Sequence, residues 1–230
     1  GLINIQYAIS DSKLYVLEAN PRASRTVPFV SKATGRQVAK AAALIATGVK
    51  ISELRKSGML PDSGDGIAKG ISVKEAVLPF NRFRRVDGEG VDTVLGPEMK
   101  STGEVMGISN SFGQSYAKSQ ISAFGALPKN GTVFVSLADK DKAQGIQAAH
   151  DLSRIGFQIL ATGGTADALS AKQIPCTRVR KHSEGTGPFG EKTIVELINA
   201  GSIDLIINTP VGRGTRQDGW FIRTAAVQRS

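Results

Sequence analysis

The chain has 230 residues, of which 40% are hydrophobic, enough for one or two globular domains with apolar cores. Its formal net charge of +9 favours anionic partners, but the basic residues are scattered and aromatic residues make up only 6%, which argues for small anions and against nucleic acid. No apolar run is long enough to cross a membrane and the lone Cys176 supports no disulfide framework, so we expect a cytoplasmic protein without membrane partners.

The first predicted element is a β-hairpin. Residues 3–9 and 13–18 alternate apolar and polar, and the polar residues between them have turn composition. A pairing in which opposed residue numbers sum to 24 places Gln6 opposite Glu18, with Asn20 further along the same face, whereas a one-residue slip mixes the two faces. We predict this register for the whole hairpin. Its apolar face then consists of Ile5, Tyr7, Ile9, Tyr15 and Leu17.

The end of this hairpin carries polar groups suited to ATP. A carboxylate and two amides converge at Gln6, Glu18 and Asn20, and such oxygen donors suit Mg²⁺ or Mn²⁺, which also bind waters and substrate phosphates. Arg22 and Arg25 follow, with planar donors that fit phosphate or carboxylate. The alternative is an edge hairpin with a polar outer face and solvated arginines.

The rest of the first half has a mixed pattern that ends in a linker. Alanine-rich spacing predicts a helix at 36–46, closed by Gly48. Turn-forming residues predict a loop at 58–70, followed by a strand at 72–78 and a helix at 111–124. Residues 125–131 have linker composition, so we place the domain boundary there and predict domains at 1–127 and 128–230.

The second domain has β-α-β-α order. Strands are predicted at 132–137, 157–161 and 204–207, and helices at 139–155 and 165–172. Such an order is typical of a parallel sheet with crossover helices, in which ligands bind at the carboxyl ends of the strands.

Polar residues follow three of these strands. Ser136 and Lys142 follow the first, the run Thr162-Gly163-Gly164-Thr165 follows the second at the start of a helix, and Asn208-Thr209 follows the third. Hydroxyls, an amide, a lysine and helix amides at one place predict a phosphate site. Each glycine turn alone has a plainer explanation, a tight bend. His182 either contacts this phosphate or is solvated.

Three runs of the chain carry a resemblance to a known family: Val16 to Gly35, Ser72 to Phe80 and Leu95 to Gly107. The first resembles the end of the second ATP-grasp module of carbamoyl phosphate synthase large subunits, the half that phosphorylates carbamate, and the resemblance continues through the other two. The resemblance covers essentially the whole chain. By it, Gln6, Glu18 and Asn20 match metal ligands, Glu18, Asn20 and Arg22 match ATP contacts, and Arg22 and Arg25 match catalytic arginines near the phosphates and the acyl substrate.

The second half resembles the methylglyoxal-synthase-like regulatory domain of the same subunits. The resemblance implies binding of a nucleoside monophosphate, uridylate or inosinate. Pro210 stands where some members carry a threonine, and the loop at 186–192 is longer, which leaves the effector's identity open. The residues implied to hold the nucleotide are Ser136, Lys142, Thr162, Gly164, Thr165, Lys181, Asn208 and Thr209.

The resemblance implies an α/β (α+β) fold: the end of an ATP-grasp module followed by a Rossmann-like parallel-sheet domain, truncated at its C-terminus. It further implies a fragment, silent alone, of an ATP-dependent ligase that makes carbamoyl phosphate for pyrimidine and arginine biosynthesis. Its implied ligands and partners are ATP, Mg²⁺ or Mn²⁺, carbamate, a uridylate- or inosinate-type effector and a glutamine amidotransferase small subunit, in an oligomer.

Two other functions stay open at this point. One is a stand-alone methylglyoxal-synthase-like protein that binds a phosphate ester or eliminates its phosphate, for which Glu191 beside Lys192 is the available base. The other is a pure nucleotide-binding module. Positions matching Glu75 and Leu78 border an amine-effector site in some family members, but a strand with a solvated Glu75 is the expectation from the residues themselves.

Overall fold

The computed structural model describes residues 1–64, 68, 70–80, 93, 95, 99–101, 103–211 and 213–229, without the side chains of 213–217. It divides into two compact units. One comprises Gly1–Val77 and Ser101–Ala126, and the other comprises Leu78–Lys100 and Leu127–Ser230. Within the described ranges, no helix has the length and apolar character needed to span a membrane.

The first unit begins with the predicted hairpin, formed by β1 (Asn4–Ser10) and β2 (Lys13–Asn20). Gln6 lies opposite Glu18 as predicted, but a bulge follows, so that Tyr7 pairs with Val16. The predicted register is therefore wrong from Tyr7 to the turn. The reason is the two-residue loop, whose residues Asp11 and Ser12 both have positive φ and close the pair Ser10↔Lys13; the bulge absorbs the extra residue on β2.

The predicted apolar face of this hairpin is not buried. Ile9 is 78% exposed and Leu17 is 64% exposed. The bulge also moves Tyr15 and Leu17 out of register with Tyr7 and Ile9. The packing of the first unit therefore lies in the elements after the hairpin.

Three helices follow the hairpin: α1 (Thr26–Thr34), α2 (Val38–Ala46) and α3 (Ile51–Lys56). Of these three helices, only α2 was predicted, and the prediction of 36–46 began two residues too early. Pro28 lies in the first turn of α1, where its missing N–H costs nothing. Gly35 ends that helix in the left-handed conformation, φ 70°, which glycine adopts without strain.

The first unit closes with β3 (Ile71–Val77), β4 (Gly103–Ser109) and α4 (Phe112–Phe124). β3 and β4 pair antiparallel, and α4 packs on both. The strand at 72–78 and the helix at 111–124 are confirmed, whereas β4 was not predicted. Parts of the predicted loop at 58–70 and of the run from Leu95 to Gly107 lie outside the described residues.

Gly107 allows α4 to approach β4 closely. A Cβ at this position would lie 1.9 Å from the Ser115 carbonyl oxygen and 2.9 Å from Lys118 Cβ. We expect Gly107→Ala to lower the free energy of unfolding by about 3 kcal/mol, because the backbone of α4 must move. Gly103→Ala is the control, since its Cβ would meet Val77 Cβ at 3.5 Å, an ordinary contact. Urea unfolding measures both, and equal losses would contradict the assignment.

The second unit is built on a parallel sheet of four strands, β5 (Gly131–Leu137), β6 (Phe157–Ala161), β7 (Thr177–Arg178) and β8 (Leu205–Thr209). Their order in the sheet is β7-β6-β5-β8. The helices of this unit are α5 (Lys142–Arg154), α6 (Gly163–Ser170), α7 (Ile194–Asn199) and α8 (Arg213–Arg229). This confirms the predicted α/β class and parallel sheet. The first three residues of the helix predicted at 139–155 form a 3₁₀ turn, Asp139–Asp141, which precedes α5. The helix α7 was not predicted.

Helices cover both faces of this sheet. Alternate residues of β5 point to opposite faces, so Val133 and Val135 join one buried cluster and Phe134 joins the other. The first cluster includes residues of α5 and α6, and the second includes Ile194 of α7 and Ile222 of α8. With both faces covered, the carboxyl ends of the strands are the place where a ligand can reach the sheet.

Candidate functional site

A cavity of about 540 Å³ lies at the carboxyl ends of β5, β6 and β8. Its size suits a small organic ligand. The structure brings all eight residues predicted for the phosphate site to its wall, and the role assigned to them stays a prediction. They are Ser136, Lys142, Thr162, Gly164, Thr165, Lys181, Asn208 and Thr209.

Hydroxyl groups tie the three strand ends together. Ser136 Oγ and Thr162 Oγ1 lie 3.1 Å apart, which joins β5 to the start of α6. Thr165 Oγ1 accepts a hydrogen bond from the Leu137 N–H, and Thr209 Oγ1 accepts one from the Ala138 N–H, both at 2.9 Å. A threonine oxygen that accepts from the backbone still has its own O–H to donate. These hydroxyls are therefore held rigidly on the wall and suit an acceptor-rich ligand.

Lys142 supplies positive charge at the polar end of the cavity. Its Nζ lies 2.7 Å from Asp139 Oδ1, and a Cβ on Gly164 would lie 3.7 Å from it, so the ammonium sits beside the first turn of α6. The hydrogen bond from Lys142 and its positive charge hold the pKa of Asp139 below its usual value. An ammonium beside a helix N-terminus favours a bound anion.

Another part of the cavity wall is aromatic and apolar. The His182 ring packs on Phe221 with 4.0 Å between ring centroids, which places His182 against a neighbour as well as on the cavity wall. The Asp218 carboxylate accepts hydrogen bonds from the N–H and hydroxyl of Ser183 at 3.1 and 3.0 Å. Apolar lining residues complete this wall: Ile194, Pro210, Val211 and Ile222.

Sequence reasoning missed Asp139 and Asp218 as wall residues. Asp139 precedes Lys142 by three residues, a spacing that brings side chains together in a helical turn, so its pairing had a signal in the sequence. Asp218 had none, because it reaches the cavity only when α8 packs beside the turn at 182–184.

In the first unit, the hairpin brings together the three predicted metal ligands. Gln6 lies opposite Glu18, and Asn20 Nδ2 donates to Glu18 Oε1 at 2.8 Å, which leaves the side-chain oxygen Oδ1 of Asn20 for a cation. One carboxylate and two amide oxygens fit the oxygen preference of Mg²⁺ or Mn²⁺ as a partial set, completed by waters and phosphate. Among the described residues, no cluster of three or more His, Cys, Asp and Glu side chains could hold a metal.

The two predicted arginines point to different partners. Arg22 Nη1 donates to the Ala23 carbonyl at 3.2 Å. Arg25 Nε lies 3.8 Å from Glu104 Oε1, and the same carboxylate lies 3.3 Å from Lys74 Nζ. The structure thus ties Arg25 to the β3–β4 pair, and its catalytic role stays a prediction.

Glu75 differs from the expectation of a solvated strand residue. Ser119 Oγ donates to its Oε2 at 2.9 Å, and Gln120 Nε2 donates to its Oε1. Ser119 is fully buried in α4. The expectation was wrong because α4 packs over β3 and brings two polar side chains to this carboxylate.

Comparisons with known proteins give consistent results for both halves. A family model described as an MGS-like domain matches residues 144–230, and one described as the carbamoyl-phosphate synthase L chain ATP binding domain matches residues 1–54. The chain is 60% identical to the carbamoyl phosphate synthase large chain of Streptomyces griseus subsp. griseus, 58% to that of Arthrobacter sp. and 54% to that of Mycobacterium sp. (strain JLS). These alignments cover 99–100% of this chain and 21% of each relative, so the chain spans about a fifth of the relatives' length.

Proposed function

Because the chain belongs to the carbamoyl phosphate synthase large-chain family, we propose that its second unit binds a nucleoside monophosphate that regulates such an enzyme. The observation that carries this proposal is the 540 Å³ cavity, on whose wall the eight predicted residues meet. Lys142 and the hydroxyls at the strand ends suit a phosphate, while the wall of His182 and Ile222 suits the less polar remainder of a nucleotide.

We propose that the first unit contributes to ATP-dependent phosphorylation of carbamate. Glu18, with the amide oxygens of Gln6 and Asn20, would hold Mg²⁺ or Mn²⁺, which neutralises phosphate charge when bound. Arg22 would contact the ATP phosphates directly, whereas Glu18 and Asn20 would contact ATP through the bound metal. Arg22 and Arg25 would offset negative charge that develops during transfer. In this proposal, the residues of the first unit position ATP and carbamate and stabilise the charge of the transition state, and they form no covalent bond to the substrate.

The remaining parts of the proposal concern the whole enzyme. The product, carbamoyl phosphate, would serve pyrimidine and arginine biosynthesis in the cytoplasm, with ammonia supplied from glutamine by a separate small subunit. The intact enzyme would be an oligomer. Alone, this chain would bind its effector without catalysing the ligase reaction.

The alternative, a methylglyoxal-synthase-like enzyme, has less support. Its candidate base Glu191 accepts a hydrogen bond from the Phe189 N–H at 3.1 Å within its own loop, and it is not among the residues that line the cavity. A carboxylate held there is poorly placed to take a proton from a ligand in the cavity. Addition of dihydroxyacetone phosphate to the purified chain should give no methylglyoxal, and appreciable turnover would favour the alternative.

Calorimetric titration of the folded chain with uridylate and inosinate tests the regulatory proposal. We expect saturable binding of at least one nucleotide at a stoichiometry of one, and weaker binding of the corresponding nucleoside, since the phosphate provides the charge-assisted hydrogen bonds. Equal affinity for nucleotide and nucleoside would contradict the phosphate assignment, and no binding of either would contradict the proposal itself.

A further inference from the structure

The cavity contains its own anion at the end where the phosphate is proposed to bind. Asp139 lines the cavity and its carboxylate lies 2.7 Å from Lys142 Nζ, a short charge-assisted contact. The Asp139 side chain is 94% exposed, whereas that of Lys142 is only 28% exposed. The lysine is thus held in the wall, and the aspartate is the partner that is free to move away.

The other carboxylate on the described cavity wall is engaged differently. Both oxygens of Asp218 accept hydrogen bonds from Ser183, which fixes that side chain without using a cavity lysine. Asp139 therefore differs from Asp218 in that its partner is the Lys142 ammonium, which we propose to bind the phosphate. A ligand phosphate and Asp139 compete for one cation.

We propose that Asp139 is a competing internal anion, which occupies Lys142 in the free protein and must be displaced by the ligand's phosphate. The inference rests on the proposed binding of a nucleoside monophosphate in this cavity. Only an anion that binds Lys142 more strongly than Asp139 does can therefore occupy the site. A phosphate dianion gains more from Lys142 and the α6 amides than a carboxylate does, so it displaces Asp139, whereas singly charged anions gain too little.

The lowered pKa of Asp139 is consistent with this contact, since the ion pair favours the charged carboxylate. Once displaced, Asp139 stays tethered three residues from Lys142 and repels the bound phosphate. Removal of its charge should therefore strengthen anion binding. The Coulomb energy of two unit charges 4 Å apart in water corresponds to about a fivefold change in affinity.

The experiment compares Asp139→Asn with Asp141→Asn in the full chain. Asp141 belongs to the same 3₁₀ turn, so its replacement removes the same charge close by, but it does not line the cavity. Inorganic phosphate and uridylate are titrated at low salt. We expect about fivefold tighter binding of both probes to Asp139→Asn and less than a twofold change for Asp141→Asn.

A second readout separates competition from a purely structural effect. The carboxyl pKa of Asp139, followed by NMR, should rise when uridylate is added, because the phosphate takes its lysine partner. The inference would be overturned if both variants changed the affinity equally or if Asp139→Asn bound the probes more weakly. It would also be overturned if the pKa of Asp139 did not change when uridylate is added. If the wild type and both variants fail to bind either probe, the proposed nucleotide site itself is wrong.

Discussion

Replacement of Lys142 by alanine is expected to weaken uridylate or inosinate binding to the second unit roughly a hundredfold, the effect of losing a hydrogen bond to a charged group in a partly buried site. Lys142 is the ammonium placed between the 3₁₀ turn and the first turn of α6. Its removal also frees the Asp139 carboxylate, which then faces the incoming phosphate without compensation. Both consequences weaken binding.

Lys140→Ala is the matched control for this variant. Lys140 also lines the cavity and carries the same charge, but it is an exposed residue of the 3₁₀ turn. A loss of less than about fivefold is expected for it, because an exposed charge acts on the ligand through water. Isothermal calorimetry measures both variants. Equal losses would mean that the cavity attracts anions by general charge alone, with no specific role for Lys142.

Glu18→Gln is expected to abolish carbamoyl phosphate synthesis by an intact large chain that carries this segment, with a loss of more than about a thousandfold. Glutamine preserves the shape of the side chain and can still accept the hydrogen bond from Asn20. It removes the one negative charge among the three proposed metal ligands, which a divalent cation needs for tight binding. The folded hairpin should therefore persist while the metal site is lost.

The control for Glu18→Gln is Asp11→Asn, which removes one negative charge at the opposite end of the same hairpin. Carbamoyl phosphate formation and nucleotide binding are measured for both variants. Glu18→Gln should leave nucleotide binding intact, since Glu18 belongs to the other unit. Retained synthesis in Glu18→Gln would remove this residue from the metal site, and lost nucleotide binding would point to a general folding defect.

Most strands and helices of the second unit were predictable because they have strong local patterning. β6 is a mostly apolar run between Gly156 and Thr162, and the structure has it at the predicted residues 157–161. α7 and β7 escaped prediction because they are short, and a two-residue strand has no period to detect. In the first unit, α1 was missed because Thr26, Val27 and Pro28 are weak helix formers in a sequence pattern, although a helix start tolerates them.

The hairpin shows where pattern and backbone geometry compete. Alternation in the sequence fits one register throughout, and it is correct where Gln6 meets Glu18. The turn requires another register, and the bulge between the two could not be read from alternation. At the cavity, residues next to strand ends were predictable from topology, whereas Asp218 depends on how α8 packs. Packing between distant elements has no local signal in the sequence.

The most direct test of the account is a crystal structure of this chain with uridylate bound. We predict that the phosphate lies within hydrogen-bonding distance of Lys142 Nζ and of the hydroxyl of Thr162 or Thr165, with the Asp139 carboxylate turned away. The nucleoside should extend towards His182 and Ile222. Uridylate bound outside this cavity, or inside it with the phosphate away from Lys142, would contradict the account.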